Sequence, residues 1–378
     1  AMKTQREIEM WTPFTRTLVA IIALGGLVLI YRLIFGLGAA TNLNDRFPWG
    51  LWIGMDVLGG EAMAAGGGII AGAVYILNWK KYKPIVRPAV LTAFFGYLLA
   101  ATAIFFDIGI PYRIWHPMAM WQVHSLMWFV SIYVMLYTTT LAAESSPMIF
   151  EKLKMRGALR IVEKIMVPVV LFGVLLSVLH QSSLGAVFLI TPSRMSPLWY
   201  SDQIPMLFLI SAIMMGLSMV SFENIISSKA FGHKPHMEIL SGLARGCLIA
   251  AVVYLALKIY VLATGPGIAA AFAGSMEANM YLLELMVGVL APIILLSMKS
   301  TRENLNRIFA VNITVIVGIL LNRMNVSLFG MYRHQSASGL SYFPSWMEFV
   351  VTAAFISIAV VGFKVAAKYF RVFPEAEA

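Results

Sequence analysis

The chain has 378 residues, 60% of them hydrophobic and only 12% charged. Soluble domains carry about 25% charged residues, so this composition excludes an ordinary water-soluble globule and indicates a polytopic membrane body. The formal net charge is +10, but the basic residues form no single patch, which excludes a nucleic-acid surface.

The opening stretch, AMKTQREIEMWTPFTR, is polar, and the apolar run after it is of full span length. No cleavable signal is therefore expected, and a first span is read at 17–37. The loop GLGAATNLNDRFPWGLW leads into a second at 52–77, with Asp56 near its start and Glu61 deeper. Glycines at 59–60 and 66–68 allow neighbouring backbones to approach. Spans three and four are read at 86–108 and 121–142. Between them PYRIWHPMAMW is aromatic and holds His116, while His124 opens span four.

The fifth span, 164–190, carries the polar run His180, Gln181, Ser182 and Ser183 between VPVVLFGVLLS and AVFLI. A loop with Pro197 and Trp199 precedes span six, 204–226, which ends near Glu223. The last four are read at 243–263, 279–298, 307–329 and 347–369, with Lys258, Glu284 and Arg323 inside the seventh to ninth. Each is long enough for a hydrocarbon core of about 30 Å, and only helices satisfy the backbone there. The expected fold is an all-α integral membrane protein of about ten transmembrane helices. They form one membrane domain over 1–378, arranged as two four-helix bundles plus two peripheral helices. Spans two and six both enter from a Trp-containing loop, which marks 52–190 and 204–329 as candidate repeats.

Ten spans put both termini on one side. Of the Lys and Arg residues, 21 fall in terminus-side segments, five (Arg32, Arg46, Arg113, Arg194 and Arg333) on the opposite side, and two within spans. The positive-inside rule then places both termini in the cytoplasm, which for a bacterial chain means the inner membrane, and it accounts for the basic charge. The opposite-side loops are rich in Trp, Tyr, Phe and Pro, as an interfacial belt or a docking face requires.

A charge at mid-bilayer costs about 2.5–3.5 kcal/mol, so ionisable residues in spans mark substrate or proton routes. Those candidates are Asp56, Glu61, Asp107, Glu223, Lys258, Glu284 and Arg323, all but Glu223 lying toward the outer side. Asp107 and His116 also fit an interfacial role, Asp56 a helix-start acid, Lys258 and Glu284 a structural ion pair, and His180 a hydrogen-bonded packing residue. Five residues separate Asp56 from Glu61, which sets them about 140° apart on an α-helix and need not give them one face. His124 and His180 supply at most one axial pair, so a two-heme wire across the membrane is excluded by counting. The one cysteine, Cys247, builds neither a disulfide nor an iron–sulfur cluster, and no metal site is expected.

The stretches GLGAATNLNDRFPWGLWIGMDVL, KPIVRPAVLTAFFGYLL, LHQSSLGAVFLI, PLWY, IMMGLSMVSFE, AFAG and SYFPSWMEF run in order across nearly the whole chain. Together they resemble the membrane subunits of hydrogenase-2 type [NiFe] hydrogenases, within the NrfD/polysulfide-reductase membrane-anchor family. The resemblance implies a heme-free helical anchor that takes electrons from a periplasmic four-cluster iron–sulfur protein, partnered by hydrogenase large and small subunits. It passes them to menaquinone or ubiquinone near the outer face. Carried over by motif are Asp56, His180, Gln181, Ser182, Ser183, Pro197, Trp199, Glu223 and Glu348. The resemblance departs in span four, where related subunits have a Glu near WQVHSLMWF and this chain has His124, Trp128 and Phe129; Glu61 stands where those relatives are uncharged. The expected quinone site comprises His180, Ser182, Ser183, Asp56, His124 and Trp199. The expected proton path, which draws on the ionisable residues within the spans, comprises Glu61, Asp56, Glu223, Glu284, Lys258 and Arg323. Three other readings stay open: a passive anchor, a subunit of a related cytochrome- or molybdopterin-linked complex, and a stand-alone ion or solute transporter.

Overall fold

The computed structural model describes residues 8–232, 234–337 and 339–373. Lys3, Arg6 and His233 lie outside them. Ten helices among the described residues are long and apolar enough to cross a membrane. They are α1 (Pro13–Phe35), α2 (Trp52–Tyr75), α3 (Lys80–Asp107), α4 (Leu126–Lys152), α5 (Arg156–Ile190), α6 (Ile204–Phe231), α7 (Met237–Thr264), α8 (Met276–Ser297), α9 (Leu305–Ser336) and α10 (Trp346–Tyr369).

Local chemistry sets the ends. Thr12 caps α1 ahead of Pro13, Ser125 caps α4, and Asn304 accepts from the backbone N–H of Asn306 and Arg307 to start α9. Ser345 and Glu348 form a reciprocal capping box at the start of α10. Gly232, at φ 75°, closes α6 in the left-handed conformation. Several boundaries differ from the sequence reading: spans three, five and seven begin six to eight residues earlier, at Lys80, Arg156 and Met237, and span nine runs on to Ser336. Span four begins at Leu126 rather than 121, because Trp121–Ser125 is an aromatic interfacial turn. It continues to Lys152 rather than 142, which brings Glu144 inside the helix.

Helices α2 to α5 pack as one four-helix bundle and α6 to α9 as a second, joined mainly through α6 against α2 and α5. α1 and α10 pair with each other on the periphery, against α3 and the start of α2. α2 and α6 form the central axis: 78% and 67% of their apolar windows are buried, against 17% for α1. They touch backbone to backbone. A Cβ on Gly66 would lie 2.4 Å from the Gly216 carbonyl oxygen, and one on Gly216 would lie 2.5 Å from the Gly66 nitrogen. Glu61 precedes Gly66 by five residues and Ser211 precedes Gly216 by five, so the crossing sets these two positions at one level.

The first and last described residues, Ile8 and Phe373, lie at the same end. There Lys364 Nζ on α10 donates to Thr15 Oγ1 on α1 at 2.7 Å, Arg87 pairs with Glu151 and donates to the Arg371 carbonyl, and Phe231 meets Phe373. At the opposite end Asn42 donates to the Phe343 carbonyl at 2.8 Å and Trp49 packs edge-on against Phe188. Among the described residues three π-helical turns interrupt the spans: Trp52–Val57, Met286–Leu290 and Asn325–Phe329. The first contains Asp56, the second begins two residues after Glu284, and the third two residues after Arg323. Such turns re-aim side chains and recur at functional positions.

Candidate functional site: a closed carboxylate–imidazole pair

In the first bundle, His180 Nε2 on α5 lies 2.8 Å from Glu61 Oε2 on α2, and neither side chain has any solvent exposure. The neighbouring Gln181 amide donates to the Glu61 carbonyl at 3.0 Å and to the Tyr97 hydroxyl on α3 at 3.1 Å. The Tyr97 ring stands edge-on to Tyr137 on α4, with centroids 4.5 Å apart, and 5.5 Å from the His180 ring. All four helices of the bundle therefore contribute. Gly68 makes room for this centre: a Cβ there would be 2.5 Å from the Tyr137 hydroxyl. Glu61 Oε1, His180 Nδ1 and Gln181 Oε1 are buried without a hydrogen-bond partner. Buried polar atoms are nearly always paired, so these three positions mark where a further donor or acceptor belongs.

The second bundle holds a different kind of centre. Glu284 on α8 accepts four hydrogen bonds: from Lys258 at 2.9 Å, Asn322 at 3.0 Å, the Trp199 indole at 3.0 Å and Asn325 at 2.6 Å. Lys258 Nζ also lies 4.6 Å from the Tyr281 ring centroid. Arg323 donates to the Phe208 carbonyl at 3.1 Å and to Ser211 Oγ at 3.0 Å, with its guanidinium 3.8 Å from the Phe208 ring centroid. Glu284 has no free oxygen, whereas Glu61 has one. Asn325 Oδ1, the Tyr281 hydroxyl and Arg323 Nε are buried without a partner, but a network this dense around one carboxylate fixes structure. Arg323 also lies within electrostatic reach of Glu61, so the two centres face each other across the α2–α6 crossing.

A third group ties the periphery to the first bundle at the opposite end. Asp56 Oδ2 accepts from Thr352 on α10 at 2.7 Å. Glu348 accepts from the Tyr342 hydroxyl, from Ser345 N at 2.8 Å and from Asn42 N at 3.2 Å. Its carbonyl takes the Trp52 indole at 3.2 Å. Arg32 donates to the carbonyls of Phe106 and Ile108. Burial pushes the Tyr342 hydroxyl well above the ordinary tyrosine range, and its hydrogen bond to the Glu348 carboxylate adds to that.

The residues of the expected quinone site are thus divided. His180 is enclosed, and its partner is Glu61 rather than Asp56. Asp56 turns to α10 and is half-buried. Trp199 belongs to the Glu284 network, because the loop before α6 folds over the second bundle. His124 is exposed in the connection before α4. Ser183 donates to the carbonyl of His180 within its own helix, and Ser182 is half-buried. The two imidazoles are not placed as an axial pair for a heme: His180 Nε2 is engaged by Glu61 and His124 lies in a loop. Among the expected proton-path residues, Lys258, Glu284 and Arg323 come together, and Glu223 stands apart near the terminal end of α6 with Oε1 unpartnered.

Sequence reasoning missed Tyr97, Tyr137 and Glu144. The tyrosines read as ordinary apolar-span aromatics, and Glu144 was placed beyond the end of span four. Glu144 is buried with Oε2 unpartnered. Gly173 on α5 faces it: a Cβ there would be 2.6 Å from Glu144 Oε1 and 3.7 Å from Tyr137 Cε2. Glu144 follows Tyr137 by seven residues on α4, about 10 Å along the axis. The polar groups of the first bundle therefore form a line from Glu61 and His180 through Tyr97 and Tyr137 to Glu144 in the terminal half.

Known proteins are similar in sequence over most of the chain's length. A protein of Nitratidesulfovibrio vulgaris is 36% identical, with 89% of each chain covered. The probable Ni/Fe-hydrogenase 2 b-type cytochrome subunit of Escherichia coli is 30% identical, over 92% of this chain and 89% of that one. The menaquinone reductase integral membrane subunit of Nitratidesulfovibrio vulgaris is 28% identical, over 93% of this chain and 89% of that one. The family described as polysulphide reductase, NrfD, matches residues 39–333; that range takes in both bundles and both buried centres, and the chain belongs to this family.

Proposed function

We propose that this chain is the quinone-interacting membrane subunit of a respiratory oxidoreductase complex of the hydrogenase-2 type. It lies in the bacterial inner membrane with both termini in the cytoplasm, as the Lys and Arg distribution favours. A periplasmic four-cluster iron–sulfur protein, serving [NiFe] hydrogenase large and small subunits, docks on the aromatic end opposite the termini and delivers electrons to menaquinone or ubiquinone. The names of the Escherichia coli and Nitratidesulfovibrio vulgaris relatives support this class of complex and favour menaquinone.

Reduction of one quinone takes two electrons and two protons, and both carbonyl oxygens become hydroxyls. The electrons come from the partner; the protons are this chain's contribution. The observation that carries the reading is the Glu61–His180 pair. It holds a proton between a carboxylate and an imidazole, sealed from lipid, with Glu61 Oε1 and His180 Nδ1 open for onward transfer. Imidazole and carboxylate are the usual proton carriers of this kind. Because His180 is enclosed, it acts behind the quinone ring and not on it. Asp56, half-buried at the α2–α10 edge and held by Thr352, meets the ring. It lies about 7 Å nearer the opposite end than Glu61 by helical rise. The line through Tyr97 and Tyr137 to Glu144 supplies protons from the cytoplasmic side, which couples quinone reduction to charge movement across the membrane.

The purified complex tests this with two acceptors. Glu61→Gln and His180→Ala are each expected to slow hydrogen-dependent quinone reduction on the order of 10²-fold. Reduction of a soluble dye, which draws electrons from the partner, stays unchanged. Asp56→Asn is expected to raise the KM for quinone. Full quinone reduction by His180→Ala would reject the reading and leave a passive anchor.

A further inference from the structure

Two adjoining clefts open at the terminal end, where α3 and α7 begin and α8 ends. One, of about 340 Å³, is lined by Lys81, Met237, Glu238, Ser241, Gly242, Arg245, Arg302 and Glu303. The other, of about 410 Å³, is lined by Trp79, Lys80 and Lys81. Lys81 belongs to both. Four cations thus face this region against two carboxylates, and Glu303 is drawn aside by Lys299 at 3.7 Å. Among the described residues, Lys81, Arg245 and Arg302 make no ion pair with a carboxylate.

The basic groups are held in place by the protein itself. Lys81 Nζ sits 4.9 Å from the Tyr82 ring centroid. Tyr82 and Lys81 press on α7 where it is thinnest: a Cβ on Gly242 would lie 2.5 Å from the Tyr82 hydroxyl and 3.7 Å from Lys81 Nζ. One guanidinium nitrogen of Arg302 donates to the carbonyls of Leu296 and Ser297, so the rest of the fork is free. Arg245 follows Ser241 by four residues and shares its helix face. Groups positioned in advance lose little freedom when an anion arrives.

The level of the clefts identifies the anion. They lie at the ends of spans, the depth of a lipid headgroup. Trp79 at the rim is 53% exposed, the placement of an interfacial anchor. Along α7 the outward residues Ile249, Val252, Val253 and Ile259 are exposed and apolar, a track for acyl chains. We propose that this is a binding site for the phosphodiester headgroup of an anionic phospholipid. Lys81, Arg245 and Arg302 contact the phosphate, and a lipid with two phosphates spans both clefts by way of Lys81. Basic pockets between membrane helices take such headgroups.

Native mass spectrometry of the detergent-purified complex, titrated with diphosphatidylglycerol or with phosphatidylcholine, reads the site. Wild type is expected to retain the diphosphatidylglycerol and not the phosphatidylcholine. The Lys81→Gln/Arg245→Gln double variant is expected to bind it at least ten-fold more weakly. Arg302 is left intact there because its backbone bonds also hold the α8 end. Arg160→Gln, a basic position at the same end outside the clefts, is expected to bind as wild type does. Equal retention by the double variant, or equal loss in Arg160→Gln, overturns the site. Displacement of the lipid by millimolar inorganic phosphate overturns the lipid assignment in favour of a free-phosphate site.

Discussion

His180 Nε2 and Glu61 Oε2, contributed by α5 and α2, are 2.8 Å apart with no exposure on either side chain. Removing one partner of a buried pair leaves the other uncompensated and costs about 3–5 kcal/mol. His180→Ala is expected to destabilise by about that much, and Glu61→Gln by less, since the amide keeps a hydrogen-bonding group opposite the imidazole. The double variant Glu61→Gln/His180→Ala is expected to cost less than the sum of the singles, with a coupling of about 1–3 kcal/mol. Thermal unfolding of the four proteins in one detergent measures it, and strict additivity would show that the two side chains do not act as a pair.

Much of this architecture was legible from hydropathy alone, because an apolar run of span length admits one backbone solution in lipid. Ten spans and, from their even number, the shared side of the termini followed from it. Partnership within the interior was less legible. Asp56 and His180 lie in motifs of similar character, yet Asp56 faces α10 and Glu61 faces α5. The roughly 140° between positions five apart on α2 allowed that split, but which neighbour each face meets depends on packing. Trp199 shows the same limit: its loop is adjacent in sequence to the HQSS run and its indole belongs to the other bundle. Glu144 was lost to a boundary. The sequence reading ends span four at 142, while α4 carries Pro147 in its interior and continues to Lys152.

Both oxygens of Glu284 are engaged, whereas Glu61 Oε1 is not, so the Lys258–Glu284 pair is bonded differently from Glu61 and His180. Lys258→Met is expected to destabilise by about 3–5 kcal/mol, since Glu284 keeps its charge without its counterion. Lys258→Met/Glu284→Leu is expected to recover part of that loss and to retain quinone reduction close to wild type. Thermal unfolding and quinone turnover of the same preparations test both statements. A stable double variant that has lost turnover would move this pair from scaffold to proton carrier.

Glu144 is the terminal-side member of the first bundle's polar line, with Oε1 against Gly173 and Oε2 buried without a partner. Glu144→Gln keeps the shape and removes the titrating proton. It is expected to slow quinone reduction about ten-fold, within the range of a single proton-transfer group, and to leave dye reduction intact. Proton uptake measured in proteoliposomes should fall in step with turnover. Unchanged turnover would mean that the protons enter from the opposite end, past Asp56.

Tyr342 gives a pH dependence with a definite sign. Its hydroxyl donates to Glu348 and accepts from the backbone of Leu51, which joins the loop before α2 to the loop before α10. Burial, reinforced by the Glu348 carboxylate, raises its pKa in the fold, whereas the unfolded chain ionises near the ordinary value of about 10. A raised value means that the native state holds the proton after the unfolded state has released it. The stabilisation is therefore complete below about pH 10 and declines as pH rises beyond it toward the folded value. Between pH 9 and 12 wild type should lose stability more steeply than Tyr342→Phe, by up to about 1.4 kcal/mol per pH unit for the one proton involved. Below pH 9 the phenylalanine variant should be uniformly weaker, because it lacks both hydrogen bonds. Parallel pH profiles of the unfolding temperature for the two proteins would show that Tyr342 ionises alike in both states.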